Sequence, residues 1–267
     1  MAYFKEIFKI LTLQFELLDK FPEVIHFSTT RIYGENKNFS MSFYANRKEM
    51  LTGPTPKEIL SESFGIQPSQ FVFCRQTHSD NIAIINSVKD DMGFYEKKNA
   101  VVETDGIITS SRGICLVIQT ADCVPVILYD PVKHIAASIH SGWRGTARHI
   151  LKKAIVRMQN DFMCEPSDII CCIGPSAGPC CYEVGEDVLT AFYKEFLNPE
   201  GLFIQFSKNK YRADLWKTNK SMAIESGIKE ANIETAEICT ICNSDMFYSA
   251  RVHKENAGRM ATGIMML

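Results

Sequence analysis

The chain has 267 residues, with 29 Lys+Arg against 31 Asp+Glu, a formal net charge of -2, 46% apolar residues and 22% charged residues. These proportions exclude long disordered stretches and the strongly basic face that bulk nucleic-acid binding requires. No apolar run approaches the roughly 18 residues of a membrane span. Lys and Glu interrupt the apolar residues of MAYFKEIFKILTLQFELLDKF, and no small-residue cleavage site follows, so a non-secreted, cytoplasmic protein is expected. The ten cysteines sit in a chain long enough to build a core, which points to reduced thiols rather than disulfide staples.

In chain order, 22–30 (PEVIHFSTT) reads as an early strand and 31–46 as a polar loop. Residues 47–64 are partly helical, broken near Gly53-Pro54 and Pro56. FVFCR (71–75) and IAIINSV (82–88) are β-like, and 90–100 is a polar loop. GIITSS (106–111), ICLVIQT (114–120), VPVILYD (124–130) and HIAASIH (134–140) are short β-rich runs that suit neighbouring strands. Apolar spacing predicts a helix over 145–159, so Ser141-Gly142-Trp143-Arg144 is a strand-to-helix turn. DIICCIG (168–174) reads as a buried strand, 185–196 and 214–227 as helices, and 236–241, 246–251 and 263–267 as strands. No linker divides the chain, so residues 1–267 are expected to form one α+β domain with a mixed sheet and flanking helices.

His78, Cys123 and His140 stand out among the potential ligands, because each lies at an expected strand end. Their spacings, 45 and 17 residues, are not those of a closed structural zinc site. Ligands drawn from separate strand ends suit a metal with one open position, and two imidazoles with one thiolate suit zinc better than copper. Buried cysteines and strand-end histidines are also common without any metal.

These residues fall in motifs that resemble the YfiH/YlmD family. RQTHSDNI, TDGIITSSRGICLVIQTADCVPVILYDP, HSGWRGTA, IGPSAGPCCYEVG, DLWKTN and CTICNSDMFYSAR carry the resemblance, which runs from about Thr29 to the C-terminus. The family carries two activity names, purine nucleoside phosphorylase and an older multicopper polyphenol oxidase or laccase. The resemblance implies a zinc site of His78, Cys123 and His140. It also implies phosphorolysis of adenosine, inosine and methylthioadenosine, with adenosine deamination as a further activity. A second association of the family is with editing of peptidoglycan precursors. Its fold resembles that of the Cys–His toxin deamidases, the cytotoxic necrotizing factor-like cysteine hydrolases.

Under that resemblance, Cys123, His140, His78 and Asp122 are the expected catalytic set, and Arg31, Tyr182 and Arg251 the expected substrate contacts. Purine nucleosides and phosphate are the expected partners, with no nucleic acid and no membrane. Asp105 and Asp122 are carboxylates that could act as acid/base groups or hold a ligand in place; a turn role for Asp105 before Gly106 and a cap role for Asp122 are equally open. Arg144 and Arg259 are further cations for phosphate. Gly174-Pro175 and Gly178-Pro179 make a rigid loop suited to form a pocket wall beside Tyr182. The lone C-x-x-C of Cys239 and Cys242 reads as a buried reduced pair, with no second pair to complete a zinc ribbon. Two departures from the family pattern stand out: RIYGENKNFSMSFYANR is shortened but keeps Asn46-Arg47, and SARV replaces the usual SYRR, keeping Arg251 but placing Val252 after it.

Three other classes compete with the zinc phosphorylase, of which a non-catalytic partner-binding protein that inherits the fold is disfavoured by the intact His78, Cys123 and His140. A metal-free cysteine hydrolase would use Cys123 as nucleophile and His140 or His78 as base on an amide, as in peptidoglycan precursor editing. A polyphenol oxidase would need several copper sites, for which six histidines in this distribution are too few.

Overall fold

A computed structural model describes residues 1–43, 53–197 and 199–267. Strands β1 (Tyr3–Ile7) and β2 (Ile10–Gln14) form a hairpin, followed by α1 (Glu16–Asp19) and the long β3 (Val24–Tyr33). Helix α2 (Pro56–Phe64) precedes β4 (Phe71–Phe73) and β5 (Ile82–Ile84). Then come β6 (Gly106–Thr109), β7 (Cys115–Thr120), β8 (Val124–Asp130) and β9 (Ile135–Ser141), and helices α3 (Trp143–Ala147) and α4 (Ile150–Phe162). The remainder runs β10 (Ile170–Ile173), β11 (Glu183–Val184), α5 (Glu186–Glu195), β12 (Phe203–Ser207), β13 (Lys210–Ala213), α6 (Leu215–Glu225), β14 (Ile233–Thr235), α7 (Ala250–His253) and β15 (Met260–Met266).

Two mixed six-stranded sheets result, in the orders β1-β2-β3-β15-β7-β4 and β14-β10-β8-β9-β6-β5, with a small β11-β13-β12 sheet beside them. The α+β class with flanking helices is thus as the sequence predicts. Period-2 alternation explains the layering. Val124, Val126 and Leu128 of β8 and Ile135, Ala137 and Ile139 of β9 pack with α4 residues such as Ile150, Leu151 and Ile155. Their alternates Ile127, Tyr129 and Ala136 meet Leu116 and Ile264 of the other sheet. The outer face of that other sheet, through Phe71, Phe73 and Val117, is covered by Leu60 of α2 and by Phe39 and Met41. No helix among the described residues is long and apolar enough to cross a membrane.

Three differences from the sequence reading have physical reasons. The N-terminal hairpin is not anticipated, because its turn places Phe8 and Lys9 at positive φ (45° and 72°) without the glycine or asparagine that normally marks it. Residues 236–241 and 246–251 are not strands. Their apolar side chains are buried, Phe247 fully and Cys239 to 5% exposure, but the backbone closes turns, with the Asn243 N–H donating to the Cys239 carbonyl at 3.0 Å. An apolar run alone does not separate a strand from a buried turn. The helix expected over 145–159 is two helices, because His149 sits in the left-handed region at φ 59° between them. Part of the helix expected over 47–64, with Asn46-Arg47, lies outside the described residues; α2 itself begins at Pro56 behind a Thr55–Glu58 capping box.

Candidate functional site

Three chain segments converge at one end of the paired sheets. His140 is the penultimate residue of β9 and continues the alternating face of Ala136 and Ser138. Cys123 immediately precedes β8, whose Pro125 pairs with His140 in the ladder. His78 lies in the loop after β4, at φ 59°. Asp122, beside Cys123, is also left-handed at φ 79°. Two non-glycine residues in that region mark a corner held by its surroundings rather than by local preference.

The ligand atoms of His78, Cys123 and His140 lie within 4.8 Å of one another, and the two imidazole centroids are 5.0 Å apart. His140 is buried, Cys123 is half-buried and His78 is exposed, so the cluster has one wet side. Gly142 closes the opposite side. A Cβ there would lie 3.1 Å from the Cys123 sulfur, 3.1 Å from His78 Cδ2 and 3.5 Å from His140 Cε1.

Asp105 holds the cluster from behind. It is fully buried, and its carboxylate accepts from the backbone N–H groups of Thr77 (3.2 Å), His78 (3.1 Å) and Ser79 (2.7 Å), and from the Ser79 hydroxyl (2.7 Å). His140 Nδ1 donates to it at 2.7 Å, which leaves Nε2 facing the cluster. Burial would raise the Asp105 pKa, but the hydrogen bonds from His140 and Ser79 hold it at about 2. Burial likewise works against the charged forms of Cys123 and His140. Their mutual attraction overrides it, taking Cys123 down to about 6, with His78 assisting, and His140 up to about 9, with Asp105 assisting.

Asp122 is placed differently. Its carboxylate is occupied by the Thr240 hydroxyl (2.7 Å), the Ser249 hydroxyl (3.0 Å) and the Arg251 N–H (2.8 Å). It ties the Cys123 corner to the 239–251 segment.

The cluster opens into a cavity of about 480 Å³ whose lining includes Gln76, Trp143, Tyr182, Leu215, Arg251 and Arg259. Tyr182 stands under the Arg251 guanidinium, 5.1 Å from ring centroid to Cζ. Arg259 donates to the carbonyls of Ala257 and Gly258, both at 2.8 Å. Arg31 is not among the lining residues. It donates to the Ser244 carbonyl (2.9 Å) and Asn38 (3.1 Å) and packs on the Tyr248 ring. Arg144 stacks on Trp143. A larger groove of about 910 Å³ lies along α4, lined by residues such as Lys152, Lys153 and Arg157, but it does not include His78, Cys123 or His140.

Sequence reasoning passed over Gln76, which exchanges hydrogen bonds with the Gln119 backbone (2.8 and 2.7 Å) at the cavity wall, and the apolar pair Trp143 and Leu215. Gln76 and Trp143 sit inside the motifs that carry His78 and His140, and that position was the available signal. The remaining four histidines have other partners: His26 accepts from the Phe15 N–H, His134 lies 3.4 Å from the Tyr129 hydroxyl, His149 lies 3.1 Å from the Glu195 carbonyl, and His253 bonds Ser249. The C-x-x-C reading needs correction. Cys239 is buried but Cys242 is exposed, and Cys180 and Cys181 come within reach of both, so a second cysteine pair does exist there.

A family profile described as multi-copper polyphenol oxidoreductase laccase matches residues 32–267. A purine nucleoside phosphorylase of Bacteroides thetaiotaomicron is 33% identical over 257 residues, covering 95% of each chain. The adenosine deaminase RL5, from an unknown prokaryotic organism, is 32% identical over 210 residues, covering 77% of this chain and 78% of that one. The crystal structure of the hypothetical protein YfiH of Bacillus licheniformis superposes with a TM-score of 0.89 at 26% identity, covering 99% of each chain. The chain belongs to the multi-copper polyphenol oxidoreductase laccase family, the YfiH/YlmD family that its motifs resemble.

Proposed function

We propose that this protein is a zinc-dependent purine nucleoside phosphorylase acting on adenosine, inosine and methylthioadenosine, with adenosine deaminase activity, and that residues 1–267 work as one unit in the cytoplasm. The observation that carries the reading is the meeting of His78, Cys123 and His140 at the mouth of a cavity, with Asp105 fixing the His140 tautomer from behind. The names of relatives that cover nearly the whole chain support the substrate class.

The donor set fits zinc. Two imidazoles and a thiolate suit a borderline-soft ion, Gly142 leaves the space, and the carboxylate–histidine pair is the usual support for a metal ligand. His78, Cys123 and His140 would hold the ion, which would supply Lewis acidity and a source of hydroxide near neutral pH. The chain's own residues do the rest. Trp143 and Leu215 give the purine an apolar wall, and Tyr182 offers a ring face. Arg251 and Arg259 bring positive charge for phosphate, while Arg31 supports the segment before Arg251 from outside the cavity. In phosphorolysis a phosphate oxygen bonds the ribose C1′ as the bond to the purine nitrogen breaks, and the purine leaves with the electron pair. In deamination water adds at C6 and ammonia departs. Asp122 serves as a positioning group, since its carboxylate oxygens already have three donors.

A second reading rests on one observation: the Cys123 sulfur lies within 4.8 Å of His140, whose other nitrogen bonds Asp105, the Cys–His–carboxylate arrangement of a cysteine-dependent amide hydrolase. A laccase reading finds less support, because the four other histidines lie away from this cluster.

The test uses untagged protein, inosine and controlled phosphate. Ribose-1-phosphate and hypoxanthine are expected only when phosphate is present, and turnover is expected to disappear on exhaustive chelation and return with zinc. Zinc-loaded protein that leaves adenosine and inosine unchanged would overturn the reading. Amide hydrolysis that survives chelation would put the cysteine hydrolase in its place.

A further inference from the structure

A second cluster lies on the far side of the Asp122 corner. Cys180 and Cys181 end the Gly-Pro loop, and Cys239 and Cys242 flank a tight turn, yet all four sulfurs lie within 4.8 Å of one another. The Cys180 and Cys242 sulfurs are 3.5 Å apart, and those of Cys181 and Cys242 are 3.3 Å apart. A tetrahedral zinc with four bonds to sulfur of about 2.3 Å has sulfur–sulfur edges of about 3.8 Å, so these two edges would open by a few tenths of an ångström to fit that polyhedron. A disulfide would need the sulfurs at about 2 Å.

We propose that Cys180, Cys181, Cys239 and Cys242 form a structural zinc site, separate from the His78–Cys123–His140 cluster. Four thiolates converging on one point are the ligand set that selects zinc among common divalent ions. Binding releases the four thiol protons and leaves a site of net charge -2. Two features make that charge tolerable. Cys180 and Cys242 are exposed, so water solvates their sulfurs. The buried Cys239 sulfur accepts the Gly178 N–H at 3.3 Å, the kind of backbone donor that supports a thiolate ligand.

The surrounding backbone preorganises the turn. The Thr240 N–H donates to the Ser176 carbonyl at 3.0 Å, and the Ser176 N–H to the Ile238 carbonyl at 3.2 Å, which fastens the two cysteine-bearing segments side by side. Gly178 is required at the crossing, since a Cβ there would lie 2.5 Å from the Trp216 ring and 3.1 Å from Cys239 Cβ.

The location gives the metal its role. Cys181 precedes Tyr182, which lines the cavity, and Thr240 between the C-x-x-C cysteines donates to Asp122 beside Cys123. Zinc here staples the pocket wall to the corner that presents the first cluster. Small turn-rich segments without much core gain most from such a cross-link.

The experiment takes the full, untagged chain carrying Cys123→Ala, which removes the first cluster's thiolate, so the outcome does not depend on the proposed enzyme. About one zinc per chain is expected to remain, and cobalt substitution is expected to give the intense thiolate-to-metal charge-transfer absorption of a tetrahedral sulfur site. Adding Cys242→Ser, an exposed position that leaves the core intact, is expected to weaken metal retention by at least about tenfold and diminish that absorption. Adding Cys239→Ser as well is expected to abolish both. Cys123→Ala protein that retains no zinc and shows no charge-transfer absorption overturns the proposal. So does freshly purified protein whose mass shows a disulfide joining Cys242 to Cys180 or Cys181.

Discussion

Two buried histidines in neighbouring sheets behave in opposite ways. His140 at the end of β9 and His26 in β3 are 3% and 4% exposed. His140 donates through Nδ1 to Asp105 and stands beside the Cys123 thiolate, so its pKa rises to about 9 although burial opposes this. His26 accepts the Phe15 N–H at 2.9 Å, and burial takes its pKa down to about 4, with Asp19 only partly offsetting the fall. Burial is the same in both regions. The partners differ: His140 has a carboxylate at 2.7 Å and a thiolate beside it, whereas His26 Nε2 is taken by a backbone N–H with its carboxylate 3.8 Å away, and the partner decides whether a histidine is a reactive group or a piece of scaffold.

The sharpest way to break this contrast is to remove the sulfur. Cys123→Ala takes away one candidate ligand and the charge that most raises the His140 pKa. Nucleoside turnover and zinc bound at this cluster are expected to fall to background, with the circular dichroism spectrum unchanged because Cys123 is only half-buried. Phosphorolysis of inosine near the wild-type rate would show that the cluster is not the catalytic centre.

His26 tests the other half of the contrast through pH. Its folded pKa of about 4 lies below the unfolded value of 6.5. The unfolded chain therefore binds the proton first as pH falls. The stability from neutral His26 is complete above pH 6.5, declines below it and is gone by about pH 4. The span corresponds to about 3 kcal/mol. Denaturant unfolding of wild type and His26→Gln across this range gives the difference directly. Gln keeps an acceptor for the Phe15 N–H but does not titrate, so its stability curve is expected to be flatter by about that amount. Parallel curves would refute the assignment.

Asp105→Asn separates orientation from charge. The amide can still accept from Ser79 but no longer fixes the His140 tautomer by an ionic bond. Zinc affinity or turnover is expected to fall about 10–100-fold, the usual cost of losing a carboxylate behind a metal-bound histidine. A shift in the pH profile of turnover should accompany the loss. A drop in stability with unchanged affinity would make Asp105 purely a clamp for the 77–79 loop.

Much of this was legible in the sequence, for reasons that differ from residue to residue. The four strands from β6 to β9 are apolar runs punctuated by Gly113, the Ala121–Cys123 corner and Asp130-Pro131, so pattern and turn chemistry agree. His78, Cys123 and His140 are visible because each is a potential ligand in or beside a turn that adjoins an expected strand. The four-cysteine cluster is not. Its two pairs are separated by more than fifty residues, and the segment that carries the second pair imitates a strand in composition while folding as turns. Arg31 follows a recognisable motif, but its donors are absorbed by Ser244 and Asn38, a tertiary outcome that no local pattern encodes. The Asp105 carboxylate caps the distant 77–79 loop and bonds His140, tertiary contacts that the local Asp105-Gly106 pair does not encode.

The finest probe of the contrast is Gly142→Ala. The glycine has φ -66°, which any residue adopts, so alanine brings no backbone strain. The only cost is steric, and it falls on the cluster: the new methyl would sit 3.1 Å from the Cys123 sulfur and from His78 Cδ2. His78 is exposed and can yield by a few tenths of an ångström, so unfolding free energy is expected to stay within about 0.5 kcal/mol of wild type. A metal site tolerates displacements of only about 0.5 Å, so zinc affinity is expected to drop several-fold. Competition with a chromophoric chelator measures the affinity, and denaturant unfolding of zinc-free protein measures the stability. Equal losses in both would mean that Gly142 serves the start of α3, whereas a loss confined to zinc affinity assigns the missing side chain to the space that His78, Cys123 and His140 share.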